Sequence, residues 1–218
     1  KAGKKKGYLY QVDRSKGMNL SELGKTGFKV VTGITFHPDG TLWGWAQGDG
    51  LFKIEHNEND EPDLSQVKLV LPDQGIVEIE DLTWNSNGTT LYAVENLYEE
   101  QTRKDEKETT IETKGTRLWR YTQAGTINTV CDKELNASME KIEAIETISS
   151  DSDVDTLLFH FGGHEELTFG LIDTLTCQIS QVKVPANYYA IERVPKNNYF
   201  GERNYSNIRS LAFISCQD

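Results

Sequence analysis

The chain has 218 residues, a length that suits one ordinary domain or one large all-β domain. It carries 34 acidic against 23 basic side chains, a formal net charge of -11, and so acidic a surface repels phosphate backbones and argues against nucleic-acid partners. No apolar run approaches the roughly 20 residues that span a bilayer, so no membrane span is expected.

The first residues, Lys1 to Lys6, are basic but lead into no apolar stretch, so no signal peptide is expected there, although a mature product would look the same. Eighteen Gly, four Trp and nine Tyr favour strands and tight turns over helices. Strand patterns begin at Leu9-Tyr10-Gln11-Val12-Asp13 and near Leu20 to Leu23. Val31 to Phe36 follows, then His37-Pro38-Asp39-Gly40 as a turn, then Thr41 to Gly44. Leu51 to Glu55 and Val67 to Leu71 complete a set of four. A second set runs through Ile79 to Trp84, a turn at Asn87-Gly88, Leu91 to Ala93, Leu118 to Thr122 and Ile127 to Val130. The charged stretch from Tyr98 to Lys114 reads as an insertion, and Glu99 to Glu108 as a solvated loop. A third set runs from Ile142 to Thr147 through a polar loop, Ser149 to Asp155, then Leu157 to Phe159, Phe169 to Asp173 and Ile179 to Val184. Leu135, Met139, Ile142 and Ile145 also fall at helical spacing, but Ile142 to Ile145 aligns with the other copies and is read as strand, with room for a short helix before Glu140. Asn187 to Ser206 reads either as further strands or as a Tyr-rich loop, and Ile208 to Phe213 repeats the first-strand pattern.

Four short strands per unit at a period of roughly 40–50 residues is the signature of a β-propeller blade. The expectation is one all-β domain over residues 1–218, a propeller of four or five four-stranded blades. The chain starts on third and fourth strands, which suits a terminal blade closed by N- and C-terminal strands, and equally suits part of a longer chain. Cys131, Cys177 and Cys216 show no zinc spacing. One disulfide plus a thiol and three thiols are both open, and the burial habit of cysteine favours thiols.

The run from Thr32 to Trp45 looks like bacterial secreted β-propeller repeats. The run from Ile79 to Asn96 is similar to the blade opening of esterase-like phytase and calcium-dependent lactonase-type propellers. The resemblance covers most of residues 7–175 and lies in blade motifs, which specify architecture better than chemistry. In those families an acidic residue of the innermost strand often faces a metal-containing channel. The resemblance therefore implies a metal-facing role for Glu80 and, more weakly, Glu143.

The innermost-strand column is Thr32, Glu80, Glu143 and Arg209, with Glu95 near the same mouth and Asp81 and Glu146 adjoining. Converging carboxylates suit a hard cation, Ca2+ above all, able to polarise a phosphoryl or lactone oxygen. Thr32 and Arg209 depart from a symmetric cage, and the bland reading has Glu80 and Glu143 solvated or paired with Arg209. Asp151, Asp153 and Asp155 alternate as in the start of a calcium loop, but Thr156 and Gly162 stand where such a loop needs Gly and Glu, so only a simpler loop site survives. His160 and His164 are separated by a Gly-Gly turn, which favours ordinary turn polarity over zinc. No nucleophile elbow, P-loop or dinucleotide fingerprint is present. Tyr188, Tyr189, Tyr199 and Tyr205, with Arg209, form a candidate contact surface, or the cover of a last blade. The expectation is a secreted or cell-surface binding domain, extracellular or periplasmic, with a protein or glycan partner. The alternative is a Ca2+-dependent phosphoesterase or lactonase.

Overall fold

The computed structural model describes residues 7–12, 20–75, 79–102, 109–130, 142–148, 154–161 and 168–182. These contain fourteen strands and no helix: β1 (Tyr8–Val12), β2 (Leu20–Lys25), β3 (Val31–Phe36), β4 (Leu42–Ala46), β5 (Gly50–His56), β6 (Pro62–Pro72), β7 (Ile79–Trp84), β8 (Thr90–Thr102), β9 (Thr109–Thr122), β10 (Ile127–Thr129), β11 (Ile142–Ile148), β12 (Thr156–Phe161), β13 (Thr168–Asp173) and β14 (Ile179–Val182). Each run of four forms one antiparallel sheet in chain order, β3 to β6, β7 to β10 and β11 to β14, and β1 pairs with β2 alone. The expected blade repeat is therefore what the chain adopts, with three complete blades and one two-stranded sheet among the described residues.

Period-two alternation lets one blade present apolar residues on both of its faces. On β4, Trp43 and Trp45 pack with Leu82, Trp84 and Tyr121 of the second blade. Leu42 and Ala46 of the same strand face the other way, toward Leu9 and Leu23 of the two-stranded sheet. On β8, Leu91 and Ala93 join the core shared with the first blade, while Tyr92 and Val94 join Ile145, Leu157 and Phe159 of the third. Such faces are too apolar to be left in water, and stacking of successive sheets removes the shared ones from it.

Two turns carry the chain out of the innermost strands. Gly40 takes φ +90° and Gly88 φ +70°, conformations that cost an L side chain and cost glycine little. Asp39 Oδ1 accepts from Thr41 N at 2.9 Å and from Thr41 Oγ1 at 2.7 Å, and Asn87 Oδ1 accepts from Thr89 N at 3.0 Å, so each turn is held by its own short polar side chain.

Two sequence expectations change, and a third holds. The stretch after Tyr98 is not simply a solvated loop: the β8–β9 ladder continues through Glu99↔Glu112 and Glu100↔Ile111 to Thr102↔Thr109. Charged and Thr-rich alternation in a two-stranded ribbon is not distinguishable from loop polarity by composition. Cys177 is disulfide-bonded, where burial habit alone favoured a thiol. The strand reading of Ile142 to Thr147 holds, and the helix alternative before Glu140 lies outside the described residues.

Candidate functional site

The innermost strands β3, β7 and β11 share one irregularity. The register slips between Val31 and Gly33, between Ile79 and Asp81, and between Ile142 and Ala144. The residue left over is Thr32, Glu80 and Glu143 respectively, the column singled out from sequence. A bulge leaves one residue unpaired and re-aims its side chain, so the repeat places this column by backbone geometry as well as by alignment.

Around the β7 and β11 bulges several polar groups are buried and hydrogen-bonded to neighbours. Glu95, almost wholly buried on β8, accepts from Trp119 Nε1 at 2.8 Å and from Arg117 Nη1 at 3.3 Å, and the guanidinium lies 5.6 Å from the Trp119 ring centre. Glu80 accepts from the Tyr98 hydroxyl at 3.3 Å. Asn96 bridges to the third blade, donating to Ile142 O at 2.9 Å and accepting from Ile142 N at 3.2 Å, with Thr116 Oγ1 donating to the same Asn96 oxygen. Asp81 accepts from Ile145 N at 3.1 Å, and burial lifts its carboxyl to about 8, against the lowering effect of hydrogen bonds from Ile145 and Leu82.

Among the described residues, no three His, Cys, Asp or Glu side chains gather closely enough to hold a metal ion. Part of the carboxylate capacity near this mouth is already engaged, Glu95 by Arg117 and Trp119 and Glu80 Oε1 by Tyr98. Asp155 lies at the opposite end of the strands, where its Oδ2 accepts from the Tyr92 hydroxyl at 2.9 Å and from Asn85 Nδ2 at 3.0 Å. It fastens the third blade to the second. Asp151, Asp153, Tyr188, Tyr189, Tyr199, Tyr205 and Arg209 lie outside the described residues. Sequence reading does not single out Asn96, Arg117, Thr116 or Trp119. The available signal was cross-strand pairing, since Glu95 stands opposite Arg117 in the ladder.

No known protein family and no curated protein matches the sequence. Solved structures do match. A chain of the nidogen/laminin complex superposes with a TM-score of 0.54 at 10% identity, over 81% of this chain and 58% of that one. The fold is that of a β-propeller. A structural-genomics target described as a gluconolactonase gives a TM-score of 0.48 at 12% identity, over 82% of this chain and 56% of its own. TolB from Acinetobacter baumannii gives 0.48 at 6% identity, over 82% of this propeller and 38% of its own length. At such identities the likeness carries fold alone, and these residues span well under two thirds of each propeller chain matched.

Proposed function

We propose that this propeller is a secreted or cell-surface binding domain whose partner is a protein. One observation carries the reading. The β8–β9 ladder continues to Thr102↔Thr109, whereas pairing of β7 with β8 ends at Ile79↔Glu95 and pairing of β10 with β9 spans only Trp119 to Tyr121. Among the described residues the outer part of this ribbon pairs only with itself, so both its edges offer backbone donors and acceptors to another chain. Its base is anchored through Tyr98 and Glu80, and through Trp119, Glu95 and Arg117, which makes a firm root for a projecting arm.

Two facts support the setting. Cys177 is disulfide-bonded, and such bonds persist in oxidising compartments. The propeller chain it resembles comes from a complex of nidogen with laminin. The hydrolase alternative needs Glu80, Glu95 and Glu143 around one cation, and the bonds of Glu95 favour a structural role instead.

The test replaces residues 99–112 by a two-residue Asn-Gly turn. Wild-type chain and armless variant are compared for chemical cross-linking to extracellular proteins, alongside turnover of lactones and phosphoesters. A polypeptide captured by the wild type and lost with the arm supports the proposal. Identical capture by both, or hydrolysis by the wild type, overturns it.

A further inference from the structure

The turns that leave the innermost strands of the first two blades are built on one plan. The N–H of His37 donates to Thr41 O at 2.9 Å and its carbonyl accepts from Gly40 N at 2.9 Å. The N–H of Asn85 donates to Thr90 O at 2.9 Å and its carbonyl accepts from Gly88 N at 3.0 Å. Two residues further on, Asp39 and Asn87 each accept from the backbone and the hydroxyl of a Thr, Thr41 and Thr89. Both leading side chains also cross to the next blade: Asn85 Nδ2 donates to Asp155 Oδ2 at 3.0 Å, and His37 Nε2 lies 2.9 Å from Gly88 O.

The chemistry of the two turns differs. The second uses neutral amides at both positions, whereas the first sets an imidazole against a carboxylate. His37 Nδ1 lies 2.8 Å from Asp39 Oδ1, and its side chain is only 13% exposed. Each ring nitrogen therefore has an acceptor oxygen within hydrogen-bonding distance. A neutral imidazole has one N–H and serves one of them; an imidazolium has two and serves both. In the neutral ring Nδ1 can accept from Asp39 N instead, at a longer 3.2 Å. Burial works to raise the Asp39 carboxyl, but bonds from Thr41 and His37 outweigh it and hold it at about 2, so an anion faces Nδ1 wherever histidine titrates. Gly88 is what lets the ring approach, since a Cβ there would lie 2.5 Å from His37 Nε2. Beside the turn stand His56, against Gly40, and Asp60, 3.7 Å from His56 Nδ1. The second blade presents Trp84, Gly88 and Gln123, none of them charged, with Tyr121 beyond Trp84.

We propose that His37 is a protonation-operated clasp between the first and second blades, its imidazolium tying Asp39 of one turn to the Gly88 carbonyl of the next. The element it biases is the contact between the β3–β4 and β7–β8 turns. The charged ring makes one more bond to an oxygen than the neutral ring does, and makes it only when the turns are folded together. The clasp therefore contributes most in acid. That contribution is lost as pH rises through the range around 6.5 in which histidine ordinarily gives up its proton. The seam between these two blades thus follows the acidity of the surroundings.

The test measures folding constants by urea titration at pH 5 and pH 8 for four chains: wild type, His37→Asn, Asp39→Asn and the double variant. The double variant gives the first turn the two side chains that the second already uses at Asn85 and Asn87, so it should fold. Within a pair that differs only at residue 37, every other titrating group, Asp81 and His56 included, is shared and cancels in the ratio of the two constants. The expected ratio of wild type to His37→Asn is at least about threefold larger at pH 5 than at pH 8. The same ratio measured in the Asp39→Asn background should gain clearly less, because the anion that faces Nδ1 is gone. A ratio that is unchanged between the two pH values, or that falls in acid, overturns the proposal. An acid gain of equal size in the Asp39→Asn background also overturns it, since the charge would then be held by a group other than Asp39. If His37→Asn fails to fold, His37→Gln supplies the same comparison.

Discussion

Asp81 on β7 takes the backbone N–H of Ile145 on β11 at 3.1 Å, so a side-chain carboxyl serves as a seam between the innermost strands of two blades. The next inward-alternating residue repeats the device: Thr83 Oγ1 accepts from Thr147 N at 3.2 Å. Adjacent blades are not joined by a strand ladder, and these short side chains supply the hydrogen bonds that a ladder would have provided.

The acid form of Asp81 is the one the fold prefers. Burial raises its carboxyl from 3.8 to about 8, opposed by hydrogen bonds from Ile145 and Leu82 and assisted by the charges of Glu146 and Glu80. Between these two values the native state holds a proton that the unfolded chain has released. Stability from this group is therefore full below pH 3.8 and is lost progressively as pH rises toward 8. Asp81→Asn keeps an acceptor for Ile145 and cannot ionise, so it should be more stable than wild type at pH 7.5 and respond less to pH. Asp81→Ala should instead cost about 1–3 kcal/mol, because the Ile145 N–H loses its partner. Urea midpoints from pH 5 to 8.5 check both, and a wild-type midpoint that rises across that range would refute the assignment.

Asn96 makes both of its inter-blade bonds to one residue, donating to Ile142 O and accepting from Ile142 N while fully buried. Asn96→Ala should lower stability by about 2–4 kcal/mol, since two backbone groups lose their partners together. Asn96→Asp should be worse at neutral pH, because a carboxylate can accept but not donate and would set oxygen against Ile142 O. Denaturant unfolding at pH 7 ranks the three chains. Asp equal to wild type would show that the Ile142 carbonyl is satisfied by other means.

Much of this architecture is legible along the chain because strand alternation and turn chemistry are local. Ile79 to Trp84 and Asn87-Gly88 announce a strand and its exit without reference to any distant residue. The seams are not legible in the same way. Nothing near Asp81 in sequence indicates that Ile145, 64 residues on, will supply its partner. A usable hint was present all the same, since a carboxylate inside a strand of otherwise core-forming residues must be bonded or neutral. Glu95 reads from sequence as a carboxylate at a channel mouth, and only the cross-strand register shows Arg117 and Trp119 already holding it.

Two glycines mark where aromatic rings cross a strand. A Cβ on Gly44 would lie 2.5 Å from Phe52 Cζ, and one on Gly170 would lie 2.2 Å from Phe159 Cζ, each glycine standing directly opposite its ring in the ladder. Both rings are fully buried, so neither can swing away freely. Gly44→Ala should destabilise the chain by about 1–3 kcal/mol through overpacking. Adding Phe52→Leu to Gly44→Ala should recover part of that loss, although Phe52→Leu alone is destabilising. A double-mutant cycle in urea gives the coupling, and strictly additive effects would mean that the contact is not the cause.

Glu95 separates a structural carboxylate from a metal ligand. Glu95→Gln keeps an oxygen for Trp119 Nε1 and removes the charge that faces Arg117. Loss of a charge-assisted bond from so buried a group should cost about 1–3 kcal/mol. If the role is structural, the loss is the same in 2 mM Ca2+ as in chelator, and wild type and variant shift equally between the two conditions. A channel cation predicts the opposite pattern, in which wild type gains thermal stability on adding Ca2+ and Glu95→Gln gains none. Melting temperatures of the two chains with and without the ion decide between them, and the bonds from Arg117 and Trp119 favour the first outcome.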